Sequence, residues 1–125
     1  DIQLIYGNKK NALNHGGSIV LTESLSNKIF GKEDPIGRIL YFDRFGSPIT
    51  VTAVMKDFPE TSHLNINFFV DWQSFVYMMK IMGLENLYNN HGWAGVYTYA
   101  LLKDGVKGDQ LKSKLLEFRK DFFSC

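Results

Sequence analysis

His15, His63 and His91 are the first residues to weigh for metal or proton chemistry, and their spacing argues against both. A zinc site wants paired ligands a few residues apart. Each histidine here stands alone in a stretch predicted to be loop, where an imidazole is ordinarily solvated or structural. Glu33-Asp34, and Asp57 with Glu60, could be imagined as paired carboxylates for acid and base work. However, Asp34 precedes Pro35 in a predicted turn and Asp57 closes a predicted strand, where Asp side chains bond nearby backbone. No serine lies in a GxSxG setting, and the adjacency of Ser62 and His63 does not make a triad. Gly31 and Gly37 are five residues apart and the second is followed by Arg38 and Ile39, so the stretch lacks the spacing of a phosphate-cradling loop. No catalytic, cofactor-binding or metal site is expected.

The elements that carry these residues belong to an ordinary globular composition. The 125 residues suit one domain with a core of its own. Apolar residues make up 45% and charged residues 22%, and the 10 Phe, 6 Tyr and 2 Trp favour sheet. The net charge of +1 comes with basic residues scattered singly, apart from Lys9-Lys10 and Arg119-Lys120, which excludes a nucleic-acid footprint. The single cysteine, Cys125, permits no internal disulfide. The most apolar stretch, 66–84, carries Asp71, Gln73, Ser74 and Lys80 and is not expected to span a membrane. No secretory leader is expected either.

Residues 1–17 read as an extended "IQLIY", a helical turn near 10–13 and a loop. "SIVL" (18–21) is a β-branched run. Thr22 is placed to cap a short helix from Glu23, with Leu25, Ile29 and Phe30 as its buried stripe and Gly31 as its terminator. In "KEDPIGR", Pro35 and Gly37 predict a type II turn that stops this helix and starts a strand. "RILYFDRF" (38–45) and "PITVTAVMKDF" (48–58) predict a hairpin of matched strands around "GS". Residues 64–70 alternate as a half-buried strand. Asp71 then caps a helix ending near Gly83, with Trp72, Phe75, Val76 and Met79 on its stripe. "WAGVYTYALL" (93–102) reads as a strand covered on both faces. From Asp109, a predicted N-cap, Leu111, Leu115, Phe118 and Phe122 mark a last amphipathic helix. The expected class is α+β: a mixed sheet with a central hairpin and three amphipathic helices packed on it.

Tyr77, Met78 and Ile81 lie off the stripe of the second helix, and Tyr88 and Trp93 sit in or beside a loop. These five are the candidate partner surface, because exposed Met and aromatic side chains suit adaptable protein contacts. An alternative is a small-ligand-binding or sensory domain whose aromatic cleft would be drawn from Trp72, Phe75, Tyr77, Tyr88, Trp93, Tyr97 and Tyr99.

"SIVLTESLSNKIFGKEDPIGRIL", "ITVTAVMKDFPETSHLNINFFVDW" and "VYTYALLKDGVKGDQLKSKLLEF", in this order, resemble the MacB-like periplasmic core domain of FtsX-like ABC transporter permeases. The resemblance covers about residues 18–122. It implies a single extracytoplasmic domain on the periplasmic side of the inner membrane, set between transmembrane helices that this chain lacks, as it lacks a first strand-helix unit. It also implies a non-enzymatic role, in which two permease copies move against each other as cytoplasmic ATPases cycle and meet an exported substrate or a periplasmic protein. Asp34, Pro35, Ile36 and Gly37 match the family pattern as architecture. No cofactor and no nucleic-acid partner are implied.

Overall fold

The computed structural model describes residues 2–43, 46–84, 86, 99 and 101–123, and in it every residue of the run Ser18–Thr22 is buried. The chain divides into two compact units, Asp1–His91 and Gly92–Cys125. The first holds a five-stranded mixed sheet made of β1 (Leu4–Tyr6), β2 (Ser18–Thr22), β3 (Ile39–Tyr41), β4 (Pro48–Met55) and β5 (Phe68–Val70). The order is β1-β4-β2-β5, and β3 pairs with the Pro48–Thr50 end of β4. β2 runs parallel to β4, and the other pairings are antiparallel. A parallel pair needs a crossover, which α1 (Glu23–Phe30) supplies while packing on both strands. The class is α+β, as the order of predicted elements implies.

Local chemistry sets the ends of α1 where the sequence places them. Thr22 is extended (φ −70°, ψ 157°) and its Oγ1 accepts a hydrogen bond from Leu25 N at 3.3 Å. Gly31 takes φ 64° and its N–H donates to Asn27 O. The buried stripe differs from expectation, since Leu25 and Phe30 pack inward but Ile29 is exposed and Ser26 is buried. The hairpin also forms, with unequal strands: β3 has three residues against eight in β4, because β4 must also pair with β1 and β2. The strand covered on both faces is β2. The predicted 93–102 strand lies outside the described residues except at Tyr99, Leu101 and Leu102, which are in no strand.

The sheet has a core on each face. Ile19, Leu21, Ile49 and Val51 cluster with Leu25 and Phe30 of α1, whereas Val20, Ala53 and Met55 cluster with Ala12 from the loop after β1. Strict alternation would put Ile49, Val51, Ala53 and Met55 on one face. A bulge prevents this: Ile19 pairs with Val51 but Val20 with Ala53, so Thr52 is the extra residue and the strand changes faces there. Thr52 Oγ1 donates to Ala12 O at 2.5 Å and lies 3.2 Å from Ile19 O, which ties the loop to the bulge.

The turn before β3 has the predicted form. Gly37 sits at φ 78°, Arg38 N donates to Pro35 O at 3.1 Å, and Asp34 Oδ1 accepts from Ile36 N at 3.0 Å. Gly37 N and Val51 N then bond Val51 O and Arg38 O, fixing the turn to β4. No atom lies within 4 Å of a Cβ built at Gly37, so substitution there meets backbone strain alone. Gly37→Val is expected to cost about 1–3 kcal/mol, read as a lower urea midpoint. Pro35 is buried, so Pro35→Ala loses ring contacts as well as freeing the unfolded chain.

In the second unit the described element is α3 (Gly108–Phe123). It begins at Gly108, which places Asp109 in the first turn, where its charge suits the positive helix end. Leu111 is half-buried, while Leu115 and Phe118, expected on the packed stripe, are exposed.

Candidate partner surface

The surface is built on α2 (Trp72–Ile81), and what positions α2 is Asp71. Its carboxylate is 2% exposed and receives three hydrogen bonds: Oδ1 from Ser74 N (2.9 Å), and Oδ2 from Ser74 Oγ (2.6 Å) and Ser18 N (2.9 Å). Ser74 Oγ in turn accepts from Gly17 N at 2.9 Å, and Asp71 N donates to Ser18 O. The predicted N-cap is therefore also the clamp that fixes the start of α2 to the start of β2. Burial alone would push the Asp71 carboxyl up, but the hydrogen bonds from Ser74 and Ser18 outweigh it and hold the group below the usual carboxylate range.

Of the five candidate residues, Tyr77 is 51% exposed, Ile81 is 46% exposed and Met78 is half-buried. Gln73 and Lys80, also exposed, share the helix face of Tyr77 and Ile81. Met82, just past the helix, is exposed as well. Tyr88 and Trp93 lie outside the described residues. Trp72 departs from its expected place in the buried stripe: it is 66% exposed, with its ring tilted against Phe75 of its own helix at 5.3 Å. Met79 is the buried anchor of α2. Tyr97 of the alternative aromatic cleft also lies outside the described residues, and Tyr99 belongs to the second unit.

Glu33, Asp34 and Asp57, three of the four carboxylates weighed for catalysis, have structural partners. Glu33 pairs with Arg38 at 2.7 Å on the surface. Asp57 accepts from Ser24 Oγ at 2.6 Å and from Ser24 N at 3.2 Å. It thus caps the first turn of α1 from the far end of β4, a role that sequence reading missed because the partners are 33 residues apart. Chiefly the Ser24 hydroxyl, opposed by slight burial, holds its carboxyl below the usual range. Among the described residues no group of His, Cys, Asp and Glu side chains could hold a metal ion, and no helix is long and apolar enough to cross a membrane.

The sheet order, the parallel β2–β4 pair and the clamp on α2 define a fold that can be compared. The family model of the MacB-like periplasmic core domain matches residues 1–118. The chain belongs to this family. Two solved structures resemble this MacB-like periplasmic core domain. One is a domain described as part of a permease from Porphyromonas gingivalis, 27% identical, with a TM-score of 0.64 over 96% of this chain and 48% of that one. The other is the periplasmic region of MacB from Actinobacillus actinomycetemcomitans, 19% identical, with a TM-score of 0.57 over 97% of this chain and 50% of that one. At that identity the second likeness shows the fold alone. The chain spans about half the length of each. No match is found among curated proteins.

Proposed function

We propose that this chain is the extracytoplasmic domain of an ABC transporter permease subunit, a non-enzymatic module that transmits ATPase-driven motion and contacts an exported substrate or a periplasmic partner. The observation that carries this reading is the match of the MacB-like periplasmic core domain to residues 1–118, supported by the likeness to the permease domain. In the intact protein the domain would work beside a second permease copy, with a cytoplasmic ATPase reached through transmembrane helices of the permease. α2 suits the contact: a buried clamp holds one end rigidly to the sheet, while Tyr77 and Ile81 face outward with Gln73 and Lys80.

The test uses the full-length permease in cells, with Ile81→Cys in a background whose other cysteines are replaced. A membrane-impermeant maleimide added to the outer side of the inner membrane is expected to label it before lysis. Labelling only after the cytoplasm is opened overturns the assignment. Tyr77→Glu combined with Ile81→Glu is expected to shift the melting temperature of the domain by only a few degrees, as exposed positions do, and to abolish permease function. Unfolding of the domain would instead show that this face is core.

A further inference from the structure

β3 is an edge strand, and the pairing of β4 shows which of its backbone groups face outward. Thr50 N donates to Gly17 O at 2.7 Å, so the backbone of Thr50 points to the β2 side of β4. Ile39 stands opposite Thr50, and Tyr41 opposite Pro48, which has no N–H. These are therefore the non-hydrogen-bonded pairs of the antiparallel ladder, and the N–H and C=O of Ile39 and Tyr41 point away from β4. Among the described residues no strand pairs with β3 on that outer side. Ile39 is 53% exposed and Tyr41 67% exposed, while Leu40, between them, packs toward the core on the opposite face. Sheet edges are ordinarily blunted by charge, Pro or a bulge, and Ile39–Tyr41 carries none of these. The other edges are better guarded: a register shift interrupts β1, and in β5 Phe68 is less exposed and Val70 is half-buried.

This edge is complementary to itself. A twofold axis at Leu40 would set Ile39 of each copy against Tyr41 of the other, in hydrogen-bonded positions where every outward N–H and C=O of both residues finds a partner. Each such pair also lays a β-branched side chain beside an aromatic ring, a favourable cross-strand combination. A register shifted toward Asp43 would draw on residues that have left the strand. We infer that β3 pairs antiparallel with β3 of a second copy of this chain, in the register centred on Leu40. A three-residue strand buries little area beside the roughly 1,000 Å² of a specific interface, so the pairing is weak in dilute solution. It fills where two copies are held side by side at high effective concentration. The surface is distinct from that of α2, and the inference holds whether or not the chain serves a permease.

The experiment places Leu40→Cys in the 125-residue chain with Cys125→Ser. Residues facing each other in a non-hydrogen-bonded pair bring their Cβ atoms close enough for a disulfide. At millimolar protein under mild oxidant, the covalent dimer is expected to form about tenfold faster than from Ile39→Cys, which faces Tyr41 rather than its own copy, or from Ile81→Cys on α2. Without any cysteine at β3, the amide NMR shifts of Ile39 and Tyr41 are expected to move between micromolar and millimolar concentration. Tyr41→Pro removes an outward N–H and leaves the β4 ladder intact, so it should abolish these shifts while a melting curve shows the domain folded. If Leu40→Cys does not fold, the concentration series and Tyr41→Pro still decide. The inference is overturned if the three cysteine variants cross-link alike, if the shifts are absent or centre on Tyr77 and Ile81, or if folded Tyr41→Pro leaves them unchanged.

Discussion

Asp71→Ala is expected to destabilise the domain by about 2–4 kcal/mol, through loss of an N-cap and of the acceptor for a buried backbone N–H. Ser74 N, Ser74 Oγ and Ser18 N all converge on this carboxylate, and no exposed path lets water replace it at 2% accessibility. Asp71→Asn keeps one oxygen for Ser74 N but turns an amide NH₂ toward the other donors, so it should fall between wild type and Ala. The pH dependence has a definite sign. The folded carboxyl titrates below its unfolded value of about 3.9. Its stabilisation is therefore present above that value and is lost as pH falls through the lower folded one. The gap between wild type and Asp71→Asn should close in acid. Asp57, also held low, contributes to the same acid limb and should be compared through Asp57→Asn. Urea midpoints between pH 7 and pH 2 read all of this, and an Asp71→Ala midpoint equal to wild type would show that the clamp is dispensable.

Gly7→Val is expected to cost roughly 3 kcal/mol or more, from two independent sources. Gly7 sits at φ 92°, where a side chain is strained by about 1–3 kcal/mol. A Cβ there would also lie 2.6 Å from Thr52 O and 2.7 Å from Ala53 Cβ, backbone and core atoms that cannot step aside, and overpacking of this kind costs about 1–3 kcal/mol. Gly31→Val separates the two, because Gly31 has φ 64° with nothing within 4 Å of where its Cβ would stand and so meets strain alone. Equal urea midpoints for the two variants would falsify the close approach of β1 to the bulge.

What could be read from the sequence was whatever neighbours in the chain decide. The Thr22 cap, the Gly31 stop, the Gly37 turn and the Asp71 cap each rest on residues within a few positions of one another. The second half of each polar role was hidden, since Ser18 lies 53 residues before Asp71 and Ser24 33 before Asp57. β2 was missed as the doubly covered strand because five consecutive buried residues carry no period to detect. The exposure of Tyr77 and Ile81 was legible from helix spacing. The half-burial of Met78 was not, because Ser74, Phe75, Val76 and Met78 are all half-buried, which makes the inward side of α2 wider than a single stripe.

The extra residue at Thr52 also governs how this chain can lengthen or shorten over evolutionary time. Deleting Thr52 would restore strict alternation while keeping Ile49 and Val51 on the α1 side and Ala53 and Met55 on the other, so the strand can lose its extra residue without exchanging its cores. A one-residue insertion elsewhere in β4 would instead send one half of the strand to the wrong core. Length variation within β4 is therefore confined to the bulge itself, and polar side chains are confined to the half of the strand up to it, where Thr50 and Thr52 are half-buried while Ala53, Val54 and Met55 are all buried.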